Sequence, residues 1–125
     1  MGLMDLFSKA KPAVEQPTAV EYVEWLLLHM MRTSRTELTI DTSRALSRSV
    51  PASNDVPPPC LPDAQAVVNR LKILSGVNPV IKQKGGGGTF ERSRTRLTLT
   101  FTTQFQEDAE KSVCTLQLRM QGKNP

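Results

Sequence analysis

The chain has little of the chemistry on which small enzymes and metal sites depend: its 125 residues include one histidine, His29, and two cysteines, Cys60 and Cys114. A lone imidazole excludes a multi-histidine metal site and makes a Ser-His-Asp arrangement a coincidence. The cysteines are far apart, lack CxxC spacing and have no histidine beside them, which reads as two free thiols in a reducing compartment. One Trp, one Tyr and four Phe describe a modest core. No apolar run approaches the roughly 20 residues that span a bilayer. The longest, Trp25 to Met31, is interrupted by His29. Asp5 breaks the apolar stretch that a secretory signal needs at Met1 to Phe7, and Leu6 stands where a myristoylation motif requires Ser or Thr. Glu107, Asp108 and Glu110 crowd one turn without a histidine or cysteine nearby and read as a solubilising loop. The expectation is a non-enzymatic protein of cytoplasmic or nuclear location, not secreted, with no metal, cofactor, small-molecule substrate or membrane segment.

Positive charge is abundant and concentrated. The formal net charge is +4, and between Arg70 and Arg96 the cations Arg70, Lys72, Lys82, Lys84, Arg92, Arg94 and Arg96 face the single acid Glu91. Such a segment suits a polyanion better than a small metabolite.

Length allows one domain with one core, residues 18–121, between a flexible tail at 1–17 and a flexible end at 122–125. Thr18 and Glu21 spell a capping box that opens a helix over Ala19 to Met31, apolar around most of its circumference. Thr36 to Ile40 alternates as a short strand, and Asp41 or Thr42 can cap a brief helix, Ser43 to Ser49, with Ala45 and Leu46 inward. Val50 to Leu61, with Pro51 and Pro57-Pro58-Pro59, is a stiff loop. Pro62 and Gly76 bracket the next helix, Pro62 to Ser75, whose stripe is Ala64, Val67, Val68, Leu71 and Leu74. A short strand, Val77 to Ile81, then leads into a basic tip closing on Gly85 to Gly88. A long alternating strand carries Leu97, Leu99, Phe101 and Phe105 on one face. After a polar turn, Ser112 to Gln121 returns with Cys114, Leu116, Leu118 and Met120 in phase, an antiparallel hairpin that should pack on the helix Pro62 to Ser75.

The order helix, strand, short helix, loop, helix, strand, glycine tip, strand resembles the winged helix-turn-helix superfamily over residues 19–105. It departs from that pattern in the long connection Val50 to Leu61 and the added strand Ser112 to Gln121. The resemblance implies a small α+β, winged-helix-like domain with an antiparallel β-hairpin extension, acting as a nucleic-acid-binding module on DNA rather than RNA, a transcriptional regulator or accessory factor. It places Gln65, Asn69, Arg70 and Lys72 toward the major groove, where amides can pair with adenine and Arg with guanine. Lys82, Lys84, Arg92 and Arg94 would meet phosphates from the wing. The alternative is a protein-interaction or assembly subunit. Tyr22, Trp25, Leu26 and Leu28 exceed what one small core should bury, and that excess, together with the final hairpin, would form a homo-oligomer or partner interface.

Overall fold

The apolar residues of three strands and two helices fall on matching faces, and the computed structural model, which describes residues 16–50 and 56–122, stacks them as two layers. Helix α1 (Pro17–Arg32) leads to strand β1 (Glu37–Asp41), the single helical turn α2 (Leu46–Ser49) and helix α3 (Ala64–Leu74). Strands β2 (Lys84–Arg94), β3 (Leu97–Glu107) and β4 (Ser112–Gly122) follow as a meander. The sheet is antiparallel throughout, in the order β1-β4-β3-β2. The protein is therefore mixed α+β, with three helices and four strands among the described residues.

Period-two alternation puts Leu99, Phe101 and Phe105 of β3, Cys114, Leu116 and Leu118 of β4, and Leu38 and Ile40 of β1 on one buried face. Val23, Leu26, Leu27 and Met30 of α1 and Val67, Val68 and Leu71 of α3 belong to the same cluster. Leu71 and Leu99 are both fully buried there, so the hairpin packs on α3 as the periodicity predicts. The opposite face of the sheet is polar, carrying Thr98, Thr100, Thr102, Gln104, Thr115 and Gln117.

Both long helices end in the same way. Gly76 takes φ 76°, its N–H bonds the Ile73 carbonyl and that of Val77 bonds the Lys72 carbonyl, closing a Schellman motif. After α1 the left-handed position is held by Ser34 (φ 56°), with Ser34 N–H on Met31 and Arg35 N–H on Met30.

Several expectations are corrected. Helix α1 starts at Pro17, not after it, and its cap Gln16 makes no side-chain bond, so Thr18 lies inside the helix and no capping box forms. Proline is at home in that first position because its missing N–H would be unpaired there anyway. The brief helix is shorter, and Ala45 is exposed. Val77 to Ile81 is not a strand: Asn78 Oδ1 accepts the Val80 N–H, an Asx turn before Pro79, and Val80 and Ile81 are 64% and 56% exposed. Gly85 to Gly88 is not a wing tip but the first half of β2, whose true turn to β3 is Thr95-Arg96. The hairpin β3-β4 is the middle of the sheet rather than an extension. Residues 1–15 of the expected tail, residues 51–55 of the loop and residues 123–125 lie outside the described residues.

The glycines are needed where two backbones meet. A Cβ on Gly88 would stand 2.3 Å from the Ser75 carbonyl oxygen at the end of α3, and one on Gly87 1.9 Å from the Thr103 carbonyl oxygen. Ser75 Oγ and Thr103 Oγ1 are hydrogen-bonded at 2.6 Å, and Thr103 Oγ1 also bonds both backbone groups of Gly88. Gly88→Ala is expected to cost about 1–3 kcal/mol by overpacking this crossing, read from the urea midpoint. Gly122→Ala, where no atom lies within 4 Å, should stay within about 0.5 kcal/mol.

Candidate nucleic-acid interface

The residues predicted to read or grip nucleic acid separate into three groups in space. The first is turned inward. Lys72 is 1% exposed, and all three of its ammonium donors are used: Glu107 Oε1 at 2.6 Å, the Ile81 carbonyl at 2.8 Å and the Pro79 carbonyl at 3.3 Å. Glu107, also 1% exposed, accepts in addition from the Gln83 N–H at 2.9 Å and from the Ser112 hydroxyl. Burial works to raise its carboxyl, but the bonds from Lys72, Ser112 and Gln83 together outweigh burial and hold it below the usual range. Gln65 Nε2 donates to Asn69 Oδ1 at 3.1 Å, and Gln65 Oε1 lies 3.2 Å from the Ser112 Oγ, whose one proton goes to Glu107. Gln65, Asn69, Lys72, Lys82 and Glu107 thus line one open pocket of about 210 Å³ against Pro79 and Val80. Lys72 is therefore not a groove-facing residue, and Glu107 is not part of a solubilising loop. The Gln65 and Asn69 amides are half-buried and bonded to each other, and Arg70 is half-buried beside them.

The second group is the supposed wing, which is divided. Lys82 and Lys84 are exposed at the start of β2 and Arg94 at its end, a separation of roughly 30 Å at the usual strand rise. Arg92 is half-buried and already engaged by a carboxylate. Its Nε donates to Glu24 Oε1 at 3.1 Å and its Nη2 to Glu24 Oε2 at 2.7 Å, with the guanidinium 5.6 Å from the Phe90 ring centre. The hydrogen bonds to Glu24 raise its already high pKa.

The third group, the expected partner surface, is mostly core. Tyr22 and Leu26 are buried, and burial together with the nearby Cys60 pushes the Tyr22 phenol up to about 12. Trp25 and Leu28 are half-buried. Trp25 donates its indole N–H to the Val56 carbonyl at 2.8 Å and stacks on His29 with ring centres 4.6 Å apart. One small core does accommodate Tyr22 and Leu26, because α3 and the sheet flank α1 on two sides.

The topology builds a different cationic surface. At one end of the sheet β1 and β3 begin while β2 and β4 finish, and to that end come Arg35 from the α1-β1 connection, Arg94 from β2, Arg96 from the turn and Arg119 from β4. The Leu118 N–H bonds the Thr36 carbonyl and so fixes Arg35 beside Arg119. All four are exposed, and among the described residues none is in an ion pair with an acid. The nearest acid along β1, Glu37, is held by Gln117 Nε2 at 3.0 Å. Beside them the polar sheet face forms an open trough of about 610 Å³ lined by Glu37, Thr89, Thr100, Thr102, Gln117 and Arg119. Arg35 and Arg119 have no sequence neighbour to advertise them. What joins them to Arg94 and Arg96 is strand order, which no local pattern reveals.

A scan against protein-family models finds no match for the chain, and a search of curated proteins finds none either. Geometry is thus the only guide to its role. Among the described residues no group of three His, Cys, Asp or Glu side chains could hold a metal ion, and no helix is long and apolar enough to cross a membrane.

Proposed function

We propose that the chain is a non-enzymatic nucleic-acid-binding module that holds the phosphate backbone of a duplex with the arginine end of its sheet. The observation that carries this reading is that Arg35, Arg94, Arg96 and Arg119 come from four segments to one end of the sheet, Arg94 on its helix side and Arg119 on its open side, with none of them in an ion pair among the described residues. Guanidinium groups suit phosphate because their planar fork can donate two bonds at once. Duplex is favoured over single strands. Proteins that take single strands on a sheet stack bases on exposed aromatics, whereas here Phe90, Phe101 and Phe105 are all on the buried side.

This reading moves the contact away from α3. The winged-helix resemblance would make α3 the groove reader, yet Gln65, Asn69 and Lys72 are engaged within the fold. Binding through phosphates alone carries no base information, so little sequence preference is expected. The test is a salt titration with random duplex DNA, duplex RNA and single-stranded DNA in parallel. Log affinity for duplex should fall linearly with log salt with a slope of about −3 to −4, as expected when some four phosphates are neutralised. A salt-independent affinity, or a preference for single strands, would refute the proposal.

A further inference from the structure

The sheet has two edges, and they differ. The β1 edge is five residues long and carries Glu37 and Asp41, the short, charged form that discourages further pairing. Strand β2 is eleven residues long, regular from Gly87 to Arg94 with a bulge between Lys84 and Gly87, and hydrogen-bonded on one side only, to β3. Its other side offers a row of backbone donors and acceptors.

We propose that two copies of the chain pair antiparallel along their β2 edges about a two-fold axis at Phe90, making one continuous sheet. A two-fold axis normal to the sheet opposes only residues of the same face, so few registers exist, and their side chains discriminate among them. Centred on Phe90, the pairing sets Phe90 against its copy, Arg92 against Gly88, Arg94 against Gly86 and Glu91 against Thr89. Within the regular stretch Arg92 and Glu91 then meet a glycine and a hydroxyl and Arg94 faces the glycine bulge, while Lys84 and Arg96 oppose each other only outside it, in the bulge and the turn. Centring on Glu91, Arg92 or Arg94 instead puts that charge directly on its own copy, which is unfavourable. Centring on Thr89 sets Arg94 against Lys84. The chosen register also extends an aromatic row, because Phe90 already lies opposite Phe101 with ring centres 5.3 Å apart. The glycines take part as well, leaving the Arg92 and Arg94 side chains room across the seam while Arg92 keeps its own Glu24.

An edge of this length gives an interface at the small, transient end of the size range, below about 1,200 Å². The dimer should accordingly form in the upper micromolar range. Sedimentation velocity on the whole chain up to on the order of 100 µM should show the weight-average mass rising toward that of a dimer. In a Cys60→Ser background, the double variant Thr89→Cys/Glu91→Cys should form a disulfide-linked dimer under mild oxidation, since directly opposed strand residues have Cα atoms about 4.5–5.5 Å apart, within disulfide reach. Either cysteine alone should link several-fold less, because the two copies of each lie on a diagonal. A monomer throughout that range would overturn the proposal, and so would a dimer in which Thr89→Cys alone links as well as the pair. The seam takes in Arg94 but not Arg35 or Arg119, and a chain that stays monomeric still exposes all four arginines, so sedimentation and the salt titration read the two proposals separately.

Discussion

Replacing Lys72 by methionine is expected to unfold the protein at ordinary temperatures or to leave it barely folded. The substitution fills the same space but strands a carboxylate that is 1% exposed, and removing one partner of a buried ion pair costs about 3–5 kcal/mol. A domain of this size loses roughly 4–8 °C of melting temperature per kcal/mol, so a fall of about 15–30 °C should be seen by circular dichroism. Glu107→Gln keeps hydrogen-bonding capacity and leaves the ammonium bound to the Ile81 and Pro79 carbonyls, so it should cost less than Lys72→Met. The double change Lys72→Met/Glu107→Leu should recover part of the loss and no more, because the Gln83 N–H and the Pro79 carbonyl then lack these partners and the Ile81 carbonyl keeps only the Gln83 amide. Acid should act on the same link. The Glu107 carboxyl is held below its unfolded value of 4.5, so its contribution is complete above that pH and is lost as pH falls through the lower folded value. Wild type should therefore lose stability below about pH 4.5, and Glu107→Gln should flatten that fall. Equal melting temperatures for wild type and Lys72→Met would show that the pair holds nothing together.

Reversing three arginines should abolish duplex binding where neutralising two lysines does not. Arg94→Glu, Arg96→Glu and Arg119→Glu all lie on exposed positions, so the fold should survive with its melting temperature little changed. If each arginine neutralises a phosphate, the salt slope loses about 0.9 per residue, and the triple variant should fall below detection at physiological salt. Lys82→Ala/Lys84→Ala, roughly 30 Å away at the other end of β2, should change affinity by less than the arginine triple does at any salt. Fluorescence anisotropy with a labelled duplex measures both. A larger effect from the lysine pair would return the site to the start of β2 and sink the arginine-end proposal.

Much of the fold could be read from the residues, and the exceptions have physical causes. Strands β3 and β4 announce themselves because alternate positions are apolar on one side and Thr or Gln on the other, and Gly76 marks the end of α3 because only a left-handed residue closes that motif easily. Strand β2 is silent. Its first half is glycine, which has no side chain to alternate, and the close approach of Ser75 that requires glycine is a tertiary fact. Val77 to Ile81 misled in the opposite way, since its apolar residues suggest a strand while Asn78-Pro79 already signals a turn. The buried ion pair was half legible: Glu107 falls in phase with Leu99, Phe101 and Phe105 on the inner face of β3, and Ser112 in phase with Cys114. Lys72 stands next to the apolar stripe of α3, where a long stem can be buried if its ammonium finds acceptors. The arginine end could not be read at all, because it depends on β1 lying beside β4.

That adjacency also governs when the protein can fold during synthesis. Strand β1 has no partner except β4, so α1 and β1 leave the ribosome with the surface that will meet Phe105, Leu116 and Leu118 still bare. The meander β2-β3-β4 can zip locally, each strand on its predecessor, but the sheet gains its fourth strand only when residue 117 comes back to residue 37. Contacts of that sequence separation are slow to form, and until they do the nascent chain presents an apolar helix and an open strand edge to whatever surrounds it.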